Sequence, residues 1–151
     1  MKKLIFVAVL FAGTAAYSQD MDSYLQMLRS EVKTEKIALI TKAMQFNEQE
    51  SPIFWPIYEE YQHEQGKITD QRIALIKDFA ANYDALTDEK ASELAKQTFK
   101  LEEQRTGLKK KYFKKIEKAL SSRQAAKFFQ VENQINLLID LQVAAGVPLI
   151  K

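Results

Sequence analysis

One stretch constrains the fold more than any other. Residues Gly107 to Gln134 read G-L-K-K-K-Y-F-K-K-I-E-K-A-L-S-S-R-Q-A-A-K-F-F-Q-V-E-N-Q. Leu108, Tyr112 and Ile116 fall on one helical stripe with Phe113 beside it, while Lys109, Lys110, Lys111, Lys114, Lys115 and Lys118 occupy the rest of the circumference. Leu120-Ser121-Ser122-Arg123-Gln124 then breaks and restarts the helix. The Ser121 hydroxyl can accept from the amide three residues on, and the Gln124 side chain can reach back, which is the pattern of a capping box after an apolar residue. A helix with one apolar and one basic face must bury the first against other helices.

The rest of the chain supplies those partners. Tyr24, Leu25, Leu28, Val32, Leu39, Ile40, Ala43 and Met44 fall near a 3.6-residue spacing, so a first helix is expected over residues 22–45. Asn47 is a cap with Glu50 at the capping-box position, and Ser51-Pro52 offers a start one turn later. A second helix carries Phe54, Ile57, Tyr58, Tyr61, Ile68, Ile73, Ile76, Phe79 and Tyr83, and it is expected to bend or break at Pro56 or Gly66. Leu86-Thr87 restarts the chain with Thr87 as cap, and the third helix runs to Leu120, about 50 Å at 1.5 Å per residue. Gly107 is a hinge candidate inside it. A fourth helix carries Phe128, Phe129, Val131, Ile135, Leu138, Ile139 and Leu141 until Gly146 and Pro148 stop it. No stretch alternates with period two, so no strand is expected. The restarts near residues 46, 86 and 120 lack the small-large pattern of helical repeats. The fold class read from this pattern is all-α: about four antiparallel, partly bent helices forming long helical hairpins.

Met1 to Ser18 has Lys2 and Lys3, an apolar run and Ala16-Tyr17-Ser18, the order of parts in a cleavable signal peptide, leaving residues 19–151 as a single helical domain. The apolar run is too short for a membrane anchor, and no Cys follows it for lipidation. Loss of Lys2 and Lys3 lowers the basic count from 22 to 20, equal to the 20 acids, so nothing in the global charge favours nucleic acid as a partner. With no cysteine the fold must stand on packing alone, even in an oxidising compartment.

The residues offer little chemistry. His63 is the one histidine, and with no cysteine a zinc or copper site lacks its usual ligands. Glu60 and His63 have the spacing of a di-iron helix motif, but such sites need it twice; the set Glu59, Glu60, His63 and Glu64 reads as a surface cluster flanking Tyr61. Gly66, Gly107 and Gly146 are solitary, so no phosphate loop exists, and no nucleophile elbow is present. A non-enzymatic protein without catalytic residues, metal or cofactor is expected. Two features invite binding. Trp55 sits in the densest aromatic patch and either packs in the core or lines a surface. The lysine face of residues 109–118 is either a solvated helix surface or a local positive field that draws acidic or anionic partners to Tyr112 and Phe113.

The restart at Leu120, Ser121 and Gln124 resembles the L-T-x-x-Q motif of the Spy/CpxP family of periplasmic chaperones and stress proteins, with Ser keeping the capping hydroxyl. Leu86 and Thr87 match the motif's first half, and Asn47 with Glu50 echoes it more loosely. The resemblance implies a small helical protein of the periplasm, a homodimer with a concave surface, that binds non-native proteins without ATP. The client-binding surface is then expected at Lys109, Lys110, Lys111, Tyr112, Phe113, Lys114, Lys115 and Lys118, with Trp55. The alternative is a stress-signalling accessory that docks on the periplasmic domain of a membrane sensor.

Overall fold

The computed structural model describes residues 33–151. The signal-peptide reading and the start of the first expected helix lie outside them. The chain clusters into two compact units, one ending at Leu39 and the other comprising Ile40–Lys151. Helix α1 covers residues 33–44. Within the larger unit α2 spans Ser51–Asn82, a short 3-10 turn spans Tyr83–Ala85, α3 spans Asp88–Ala119 and α4 spans Ser122–Gly146. No strand occurs among the described residues, so the all-α hairpin architecture is the one observed.

The restarts fall where the sequence places them, and side chains make them. The Asn47 Oδ1 accepts from the Glu50 backbone N–H at 2.9 Å, and the Glu50 Oε2 accepts from the Asn47 N–H at 3.1 Å, a complete reciprocal capping box. Thr87 Oγ1 accepts from Lys90 N–H at 3.2 Å, and Ser121 Oγ from Gln124 N–H at 3.1 Å. The return half of the Ser121 box is not made. Gln124 instead donates from Nε2 to Glu50 Oε1 at 3.0 Å, which ties the turn before α2 to the turn before α4.

No break falls at Pro56 or Gly66: α2 passes through both without a gap. Pro56 lies near the helix start, and both it and Pro52 are exposed residues. α3 likewise runs unbroken through Gly107, and Leu108, Tyr112 and Ile116 beyond it are all anchored in the core. The packing term outweighs a glycine penalty of about 1 kcal/mol.

Apolar burial is concentrated near the two linked turns. Ile40 and Met44 of α1, Phe54, Ile57, Tyr58 and Tyr61 of α2, Leu108, Tyr112 and Ile116 of α3, and Ala125, Phe128, Phe129 and Ile135 of α4 form one cluster. Phe128 is its centre, with ring centroids 5.1 Å from Phe54, 6.0 Å from Tyr58, 5.9 Å from Tyr61 and 4.7 Å from Phe129. Most of these pairs are edge-to-face, the arrangement favoured by ring quadrupoles. Tyr61 donates its hydroxyl to the fully buried Glu132 at 3.2 Å, and Asn136 Nδ2 donates to the same carboxylate oxygen at 3.1 Å. Burial, then Glu132, pushes the Tyr61 hydroxyl far above its ordinary pKa, so it stays a donor.

Away from those turns the apolar filling thins and charge takes over. Arg72 of α2 and Arg105 of α3 both donate to Asp140 of α4, the second at 3.0 Å. Lys90 pairs with Asp78 at 2.8 Å across the α2–α3 connection. Lys151 pairs with Asp84 at 2.8 Å and lies 4.6 Å from the centre of the Tyr83 ring. The C-terminal tail therefore meets its own bundle through its lysine, while Leu149 and Ile150 stay exposed.

Candidate functional site

The six lysines of residues 109–118 do not form one face. Helical phase sorts them into three settings. Lys111 and Lys115 turn towards α2, where Lys111 Nζ donates to both Glu64 oxygens at 2.7 and 2.9 Å and Lys115 pairs with Glu60. Lys109 turns towards α4 and donates to Asn133 Oδ1 at 2.7 Å. Burial, with the nearby Arg105 cation adding to it, holds the Lys109 ammonium below its ordinary pKa. Lys110, Lys114 and Lys118 stay exposed, with no acid in ion-pair range among the described residues.

The aromatic members of the expected surface are drawn inward. Tyr112 is 1% exposed, and its hydroxyl donates to Glu64 Oε1 at 2.8 Å. The Lys111 and Lys115 ammonium groups lie 5.1 and 5.7 Å from its ring centre and help to cover it. Burial and then the Glu64 hydrogen bond push the Tyr112 hydroxyl up to about 12. The Lys111 and Tyr112 hydrogen bonds in turn hold Glu64 below the usual carboxylate range. Phe113 is half-buried, 6.2 Å from Phe129. Trp55 is half-buried too, edge-on to Phe54 at 5.3 Å and to Tyr58 at 5.4 Å, and so belongs to the core margin. The cap residues Leu120, Ser121, Gln124, Leu86, Thr87, Asn47 and Glu50 all sit at helix junctions.

Three features were missed by sequence reasoning. The first is the acid ladder that neutralises two of the six lysines, Lys111 and Lys115. Its signal was present: Glu60 and Glu64 are four apart, Lys111 and Lys115 are four apart, and antiparallel helices match such pairs across their seam. The second is the exposed apolar surface beyond the core. Phe99 is 66% exposed, Leu137 69%, Leu138 63% and Leu141 67%. On α4 the side opposite Phe128 carries Gln130 and Gln134 in the first half and Leu137 and Leu141, with Leu138 beside them, in the second, so the outward side turns from polar to apolar along the helix. The third is a shallow, open cleft of about 550 Å³ between α2 and α3, lined by Lys67, Ile68 and Gln71 of α2 and by Gln104, Gly107, Leu108 and Lys111 of α3.

No helix among the described residues is long and apolar enough to cross a membrane. No family model matches the chain, and no match is found among curated proteins or among solved structures.

Proposed function

We propose that the protein is an ATP-independent, non-enzymatic, chaperone-like binder of unfolded or stress-damaged proteins, of the Spy/CpxP kind, working in the periplasm. The observation that carries this reading is the exposure of Phe99, Leu137, Leu138 and Leu141 on ordered helices. Leu137, Leu138 and Leu141 lie within about one turn of α4, and large apolar side chains gathered at a surface mark a place where something apolar binds. Lys110 and Lys114 stand on the same outward side of α3 as Phe99 and keep their charge available to draw acidic segments in. On this reading the contact surface is the outer side of α3 with the second half of α4.

Light scattering by a chemically denatured client diluted into buffer tests the reading. The purified protein is expected to suppress aggregation at stoichiometric amounts without nucleotide, and Lys110→Glu with Lys114→Glu should weaken suppression more at low salt than at high salt, since exposed charges are screened. No suppression by the unaltered protein overturns the proposal. Indifference to unfolded clients together with one saturable folded partner would instead favour a signalling accessory.

A further inference from the structure

The cleft between α2 and α3 has properties that packing does not explain. Gly107 forms part of its floor, and a Cβ built there meets nothing within 4 Å. A glycine inside a helix costs about 1 kcal/mol against alanine, and here no neighbour requires it. A side chain at this position would project into the space beside the cleft lining. Ile68 and Leu108 give an apolar floor on either side of that gap.

The walls are polar and unevenly charged. Glu64 is the cleft's one acid, and both of its oxygens are already taken by Lys111, one of them also by Tyr112. Lys67 has no acid in ion-pair range among the described residues, and His63 stands at the same rim. The balance is therefore positive. Gln71 of α2 and Gln104 of α3 flank the cleft from opposite sides, and each amide can both donate to and accept from a peptide backbone.

We propose that this cleft receives an extended polypeptide segment in which an apolar side chain neighbours an acidic one. The apolar group would rest on Ile68 and Leu108 over Gly107, the carboxylate would face Lys67, and the glutamines would hold the backbone. A folded globule cannot insert such a segment, whereas a non-native chain presents many. The inference rests on the chaperone-like reading and adds to it a second contact with a defined sequence preference.

Gly107→Leu is the decisive variant. The new side chain enters open space and removes a helix-weakening glycine, so the protein is expected to keep or raise its Tm while the cleft is filled. Fluorescence anisotropy would follow two labelled unstructured peptides with one shared apolar sequence, flanked by glutamates in the first and by lysines in the second. The unaltered protein should bind the glutamate-flanked peptide about tenfold more tightly at low salt, the equivalent of about 1.4 kcal/mol. Gly107→Leu should lose that binding about tenfold or more, and Lys67→Glu should abolish the preference. Equal binding of the two peptides, or unchanged binding by Gly107→Leu, overturns the cleft proposal. Aggregation suppression separates the two ideas. Suppression by the unaltered protein together with unchanged peptide binding by Gly107→Leu overturns the cleft alone, and no suppression by the unaltered protein overturns the chaperone-like reading.

Discussion

The helices of the larger unit are held by different physics at their two ends. Beside the turns at Asn47 and Ser121, four aromatic rings of α2 and α4 meet around Phe128, and Gln124 joins the two capped starts through Glu50. Towards the α2–α3 connection the bundle relies on the Arg72–Asp140–Arg105 cluster and on the Asp78–Lys90 and Asp84–Lys151 pairs, and Leu94 is the one buried apolar side chain of α3 in that half. Apolar burial is worth about 25 cal/mol per Å², whereas an exposed ion pair contributes about 0–1 kcal/mol. Stability gathered at one end leaves the other free to display leucines that a uniformly packed bundle would have buried. A surface for apolar partners can then exist without threatening the fold.

The largest expected effect is a direct contrast between the ends. Phe128→Ala should cost about 3–5 kcal/mol in urea unfolding, since it empties the centre of the aromatic cluster. Leu138→Ala, a comparable truncation on the exposed half of the same helix, should stay within about 0.5 kcal/mol. A loss above 2 kcal/mol for Leu138→Ala would mean that its surface is already covered in solution, and the contrast would collapse.

Acid should act on the charged end. Burial alone would raise the Asp140 carboxyl, but the Arg72 and Arg105 hydrogen bonds outweigh it and hold the group below its ordinary value. A depressed carboxylate stabilises the fold above the unfolded-state pKa, about 3.9 for Asp, and that stability is lost as pH falls through the lower folded-state value. Asp140→Asn should cost about 1 kcal/mol near neutrality, discounted for partial exposure. Its Tm deficit should stay level above about pH 5 and shrink below about pH 4 as the unaltered protein loses the same charge. A deficit independent of pH would assign the Asp140 contribution to hydrogen bonding rather than charge.

The fold was legible in the sequence because local signals carried it. Asn47 with Glu50, Thr87 and Ser121 are caps whose chemistry needs only a few neighbouring residues, and each forms in the structure. What was not legible depended on which helix lies across from which. The lysines of α3 look alike in sequence; Glu60, Glu64 and Asn133 divide them, and those groups lie 24 to 55 residues away along the chain. Tyr112 reads as a surface neighbour of lysines until Glu64 and the lysine stems close over it. The leucines of α4 read as core because periodicity reports that a face is apolar, not that a partner covers it.

The smallest expected effect lies at the well-packed end and tests how that end tolerates strain. Gln45, just after α1, has φ of 51°, the left-handed region where helices usually place glycine. Its N–H still donates to Thr41 O at 3.2 Å, and the Phe46 ring beyond it packs tilted against Phe54 with centroids 4.4 Å apart. Those contacts fix the reversal of the chain into the Asn47 cap, and the neighbouring core compels a conformation that glutamine alone would avoid. Gln45→Gly removes the Cβ clash but also loosens the unfolded chain, so the two terms partly cancel. A net gain of about 0.5 kcal/mol is expected in urea unfolding. A loss instead would show that the Gln45 side chain contributes contacts of its own to the packed end, and that end would then owe its stability to more than the aromatic cluster.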